Sequence, residues 1–300
     1  MTLPTGVLPV LQMPFHDDET IDFPALLREC DVVCAQGAHG ICFALASELF
    51  RLDTREREEV VETLGNHLRG RLPFVAGVGS ESTANAVRLA QHAASAGANV
   101  LMATPPLCTA ATEIEIERYY GRIADAVDLP IIVQDASSYA GAPLSVDLQI
   151  RIALRHGIDR VGFKPESNPV GPVVRALRES LGAEVAIYEG SGGAELAQHF
   201  PLGLAGTIPG SEMVPAIVAL WNALRRDDAA RADRISIAIR GINSLGSGLD
   251  GYLAIEKHRL VRLGMLPTEH VRGPRSFVLD APTRAEADRW FECLDKEIAA

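Results

Sequence analysis

Met13-Pro14-Phe15-His16-Asp17-Asp18 follows the first apolar segment of the chain, and its lack of glycine separates two folds. A doubly wound open sheet that binds a dinucleotide carries a glycine-rich turn at this point, where the pyrophosphate meets a helix N-terminus. None is present here. Working outward, strand-like apolar runs occupy residues 6–15, 40–45, 74–79, 100–105, 130–135, 160–166, 185–190 and 204–209. Longer alanine-rich stretches with helical apolar spacing, such as 84–96 and 113–127, lie between them. Parallel neighbours need crossover connections of this kind. Eight such units favour an α/β fold of the closed (β/α)8 TIM-barrel type.

Local signals agree with that reading. Asp53-Thr54-Arg55-Glu56 has the shape of a capping box, and Pro215 suits the first turn of the helix after the eighth strand. Residues 1–225 are therefore expected to form the barrel. Residues 226–300 are expected to form C-terminal helices, at 228–245, 249–263 and 283–298, packed on it.

The 300 residues carry a net charge of −11, which disfavours nucleic acid and anionic membranes as partners. No apolar run approaches the ~18 residues of a membrane span. Met1-Thr2-Leu3-Pro4-Thr5-Gly6 lacks the basic start of a secretory signal, so a cytoplasmic location is expected. The five cysteines show no paired CxxC spacing and read as buried or half-buried free thiols. No cofactor is expected, and no His/Asp/Glu cluster calls for a metal.

Lysine usage is the sharpest compositional signal. Of 28 basic residues only Lys164, Lys257 and Lys296 are lysines, which leaves 28 − 3 = 25 arginines. Lys257 and Lys296 lie in the C-terminal helices and read as surface charges. Lys164 lies in Arg160-Val161-Gly162-Phe163-Lys164-Pro165-Glu166, at the strand end where barrels of this type place their chemistry. An ammonium flanked by Val161, Phe163 and Pro165 is costly to desolvate, which favours the neutral amine, a nucleophile suited to carbonyl carbon. The strand period of two puts Glu166 on the same face, where it could move protons or serve only as an ion-pair partner.

These residues resemble the dihydrodipicolinate synthase/N-acetylneuraminate lyase family of Schiff-base barrels. Val161-Gly162-Phe163-Lys164 matches the family's strand with the imine-forming lysine. Ala46-Ser47-Glu48, with Leu52 and Glu56-Arg57, matches its carboxylate-binding loop and the helix beyond. Glu189-Gly190 and Ala205-Gly206-Thr207-Ile208 match the ends of the seventh and eighth strands. The resemblance implies Lys164, Glu166 and Gln134 as catalytic residues. It implies substrate contacts from Ala46, Ser47, Asp135, Tyr139, Gly190 and Ile208, and a homodimer or homotetramer.

Departures from the family pattern bear on the reaction. Gln134 stands where the fifth strand usually carries a proton-relaying tyrosine, and an amide does not titrate near neutral pH. Leu45-Ala46 replaces a threonine pair, Pro105-Pro106-Leu107-Cys108 replaces the tyrosine exchanged between subunits, and Tyr139 replaces an arginine. Val133-Gln134-Asp135-Ala136 and Phe163-Lys164-Pro165-Glu166 resemble the L-2-keto-3-deoxyarabonate dehydratase branch, although Ser80 stands where that branch has a nearby histidine. The expected activity is dehydration of a 2-keto-3-deoxy sugar acid, a small 2-keto acid. The alternatives are a pyruvate-dependent aldolase or dihydrodipicolinate-synthase-like carbon–carbon lyase, and a barrel that binds a keto acid without catalysis.

Overall fold

A computed structural model describes residues 2–299. Eight parallel strands alternate with helices: β1 (Gly6–Val7), α1 (Phe23–Ala35), β2 (Ile41–Phe43), α2 (Thr54–Leu68), β3 (Phe74–Gly77), α3 (Thr83–Ala96), β4 (Val100–Ala103) and α4 (Glu113–Ala126). The second half continues with β5 (Ile131–Asp135), α5 (Val146–His156), β6 (Val161–Pro165), α6 (Val170–Leu181), β7 (Tyr188–Glu189), α7 (Leu196–His199), β8 (Gly206–Thr207) and α8 (Val214–Arg225). Strands β2 to β6 pair in sequence order, and β1, β8 and β7 form the remaining arc. Single-residue bridges join the arcs at both seams, Val10 to Cys42 and Phe163 to Ile187, so the eight strands form one ring. The architecture is the (β/α)8 barrel expected, with a C-terminal helical extension.

The first strand is shorter than the 6–15 run suggests. Pro9 and Pro14 have no N–H to donate to a ladder, so only Val10 bridges its neighbours beyond Val7. The capping box at α2 forms as expected: the Glu56 amide donates to Asp53 Oδ1 at 2.8 Å, and the Asp53 amide donates to Glu56 Oε2 at 2.9 Å. Pro215 occupies the first turn of α8.

Alternation along the strands sorts two hydrophobic layers. Leu8, Val10, Cys42, Val75, Val100, Met102, Ile132, Tyr188 and Ile208 fill the barrel interior. Ile41, Phe43, Phe74, Leu101, Ile131, Val133, Val161 and Phe163 face the helices instead. Because side chains alternate with period two, Gln134 continues the inward row of Ile132, and Lys164 lies inward between outward Phe163 and Pro165. Tyr119 and Tyr120 are fully buried in the outer core.

Three further helices follow, α9 (Ala229–Asn243), α10 (Gly248–Arg262) and α11 (Ala281–Ala299), with α9 and α11 packed on each other and on α8. Among the described residues no helix is long and apolar enough to cross a membrane. Two sequence expectations need correction. Cys108 and Cys293 are exposed, so the thiols are not uniformly sheltered. Lys257 is 0% exposed and not a surface charge, because Glu48 from 209 residues away supplies its counter-ion.

Candidate active site

Registry places the central pair. Gln134 and Lys164 are direct partners across β5 and β6, and Glu166 follows Lys164 by one strand period. Lys164 Nζ donates to Glu166 Oε1 at 2.8 Å, and Gln134 Nε2 donates to Glu166 Oε2 at 2.6 Å. Both carboxylate oxygens are thus held by neighbours on the barrel wall. All three side chains are buried, with exposures of 5% for Lys164, 6% for Glu166 and 3% for Gln134. Burial pushes the Glu166 carboxyl above its ordinary range, while Lys164 and the Gln134 amide oppose the shift. A carboxyl raised this way holds a proton more readily than an ordinary carboxylate, which suits it to take up a proton and return it.

Gly190 explains how Glu166 fits. A Cβ at this position would lie 2.5 Å from Glu166 Cγ, so the carboxylate rests against bare backbone at the end of β7. The glycine-rich run beyond it is a tight turn, with Gly192 and Gly193 at φ of +61° and +85°. The Ser191 and Gly193 amides donate to Glu189. Glu189 therefore organises this turn, and burial raises its carboxyl as well.

The cavity at Lys164 is lined by Ala46, Gln134, Tyr139, Glu166, Gly190 and Ile208 from the expected set, and by Gly210, Leu249 and Tyr252. Ser47 and Asp135 are not brought to its wall. Ser47 Oγ donates to the Leu11 carbonyl at 2.6 Å and accepts from the Ala44 amide at 3.2 Å. Its hydroxyl thus fastens the loop after β2, and Leu45 and Ala46 face the cavity. Asp135 points the other way because it follows inward Gln134 by one residue. Its carboxylate accepts from the Ser137 and Leu144 amides, and its carbonyl accepts from the Glu166 amide. That set of bonds positions the β5–α5 loop, which carries half-buried Tyr139 over the cavity. Burial pushes the Tyr139 phenol up, and Glu166, Glu189 and Glu256 add to the effect. His16 is exposed on its loop.

The loop after β2 is clamped from the C-terminal helices. Glu48 sits in a left-handed conformation, φ 55°, with its carboxylate paired to Lys257 and accepting from the Arg272 amide at 2.9 Å. Lys257 also donates to the carbonyls of Met13 and His270 and lies 5.0 Å from the Phe15 ring centroid. Burial lowers its ammonium against the opposing pull of Glu48. Tyr252, also from α10, accepts from the Gly210 amide at 2.9 Å. The scarcity of lysine was the one sequence signal for Lys257. Nothing local marks Tyr252, which reaches the site only through tertiary packing. Among the described residues no group of three or more His, Cys, Asp or Glu side chains is arranged to hold a metal.

The family model described as the Dihydrodipicolinate synthetase family matches residues 3–276. A 4-hydroxy-tetrahydrodipicolinate synthase of Aromatoleum aromaticum is 31% identical over 271 residues, covering 87% of this chain and 89% of the relative. An L-2-keto-3-deoxyarabonate dehydratase of Azospirillum brasilense is 28% identical over 290 residues, covering 94% and 91%. The solved structure of a 4-hydroxy-tetrahydrodipicolinate synthase from Methylacidiphilum fumariolicum superposes with a TM-score of 0.88 at 21% identity, covering 98% of this chain and 97% of that one. At that identity the likeness carries the fold alone.

Proposed function

The chain belongs to the dihydrodipicolinate synthetase family, and from that premise we propose that it is a Schiff-base dehydratase acting on a 2-keto-3-deoxy sugar acid. The observation that carries this reading is the Lys164–Glu166–Gln134 arrangement, with its 2.8 Å and 2.6 Å bonds. Lys164 attacks the C2 ketone, and loss of water leaves a protonated imine that acidifies the C3 hydrogens. The Glu166 carboxylate removes one of them to give an enamine. The enamine electrons expel the C4 hydroxyl, which leaves as water with the proton that Glu166 holds. Hydrolysis of the unsaturated imine then frees Lys164, so the substrate loses one water overall. Gln134 holds Glu166 in place without competing for the proton, since its amide does not titrate.

The substrate carboxylate is read by the turn at Leu45 and Ala46, which opens a 3-10 helix whose first amides lack acceptors within the helix. Tyr139 covers the reacting carbons and provides a phenol from the β5–α5 loop, in place of the one missing from β5. The same lysine would serve a carbon–carbon lyase, which differs in releasing pyruvate from the enamine.

Borohydride reduction in the presence of pyruvate or a 2-keto-3-deoxy acid, followed by peptide mass analysis, tests the imine. An adduct on Lys164 is expected, and its loss in Lys164→Arg. No adduct on Lys164 would exclude both lyase readings and leave a keto-acid-binding barrel. Product analysis separates the remaining two: a semialdehyde without pyruvate supports dehydration, and pyruvate release supports carbon–carbon cleavage. Glu166→Gln should retain the adduct and lower dehydration at least a hundredfold, the usual worth of a positioned acid–base group.

A further inference from the structure

Three cavities meet at the Tyr139 ring. The one at Lys164 measures only about 20 Å³, room for about one water molecule. A second, of about 210 Å³, is lined by Ser138, Glu166, Ser167 and Asn168. Ser138 and Asn168 are exposed, so this cavity opens to solvent and forms one mouth of the site. The third, of about 220 Å³, lies beyond Tyr139 and Tyr252 and reaches Glu212 and Glu256.

Those two glutamates are unlike ordinary acidic residues. Glu212 and Glu256 are 3% and 1% exposed. Glu212 Oε2 and Glu256 Oε1 are buried and have no hydrogen-bond partner among the described residues. Both crowd Gly210, where any Cβ would collide with them. The second oxygen of Glu256 accepts from Gln12 Nε2. Two carboxyl groups in contact and away from water cannot both ionise at low cost, so they share a proton. Burial raises both, and Glu212 raises Glu256 further. Such a pair offers one O–H donor and several acceptor lone pairs.

We propose that this chamber receives the distal part of the substrate chain, and that the Glu212–Glu256 pair selects an uncharged, hydroxylated tail over one ending in carboxylate or phosphate. The proposal rests on Lys164 as the imine-forming group and extends it to the rest of the substrate. The pocket at Lys164 is much the smallest of the three, so a chain longer than the keto-acid head extends into a neighbouring chamber. Among the described residues lining the third cavity there is no lysine or arginine, while Glu195, Glu212 and Glu256 are all present. An anionic tail would meet no counter-charge there. A hydroxyl can accept from the shared proton and donate to the oxygen left without a partner, which satisfies both sides of the pair.

The test is competition against pyruvate, which has no tail, for borohydride trapping on Lys164. Competitors are 2-keto-3-deoxy acids of equal chain length ending in a hydroxymethyl, a carboxylate or a phosphate group. In the wild type the hydroxymethyl compound should protect at about tenfold lower concentration than either anion. In Glu212→Gln and Glu256→Gln, which keep the side-chain shape, that ratio should fall to about threefold or less. Equal protection by all three tails in the wild type would overturn the proposal. So would a ratio that both glutamine variants leave unchanged, or one that moves with Ser167→Ala at the mouth and not with the glutamates. If pyruvate gives no adduct the imine reading fails. The chamber is then decided separately by titration calorimetry with the same three compounds and variants, with the same ratios as criteria.

Discussion

Replacing Glu29 by glutamine tests the acidic cluster beneath the site through its pH dependence. Glu29 is fully buried on α1, and its Oε1 accepts from the Gln12 amide at 2.8 Å and from Ser211 Oγ at 2.6 Å. Burial outweighs those bonds and pushes the carboxyl from its ordinary 4.5 up to about 7. Between these two values the folded protein keeps a proton that the unfolded chain releases. The stabilisation from Glu29 is therefore complete below pH 4.5 and is lost as the pH rises through 7. At about 1.4 kcal/mol per pH unit, the interval is worth about 3 kcal/mol.

Glu29→Gln replaces the protonated acid with a neutral isostere whose oxygen can accept the same two bonds. Urea unfolding, followed by the fluorescence of buried Trp221, should show wild type and variant close together near pH 4.5. By pH 8 the variant should be more stable by about 3 kcal/mol. The other buried carboxyls tilt both curves in the same direction, so the difference between the proteins isolates Glu29. Parallel curves from pH 4.5 to 8 would refute the claim that this carboxyl stays protonated in the fold.

Two further substitutions probe the site. Gly190→Ala would put a methyl against Glu166 Cγ; we expect turnover to drop about tenfold or more, with the Lys164 borohydride adduct still formed, and unchanged turnover would show that Glu166 has room to spare. Lys257→Met removes the closer of two counter-ions from the buried Glu48 carboxylate and leaves only Arg51 at 3.4 Å, at a cost of about 3 kcal/mol, the low end for a broken buried pair. Urea midpoints measure that loss, and the apparent affinity for keto acid should weaken with it because the loop of Ala46 and Ser47 is released.

Much of the architecture is legible in the chain because its signals are local. Val161-Gly162-Phe163-Lys164-Pro165-Glu166 alternates with the pleat, so the direction of Lys164 and Glu166 follows from counting residues along β6. The same counting turns Asp135 away from Gln134, and the Asp53–Glu56 capping box is complete within four residues. Family likeness assigned Ser47 and Asp135 to the substrate all the same. Their hydrogen bonds hold the loops that line the cavity, and those bonds depend on which backbone groups the folded loops bring near.

By itself, then, the sequence determined the repeated βα unit, the capped helices and the single lysine at a strand end, since each is set within a few residues. Only the tertiary structure decided which distant groups meet there. Lys257 is a buried counter-ion because Glu48, 209 residues earlier, reaches it across the barrel mouth. Tyr252 and Glu256 border the site because α10 folds back over β8 and places them beside Gly210. Ion pairing and proton sharing depend on spatial separation and on exclusion of water. Neither quantity is set by position along the chain.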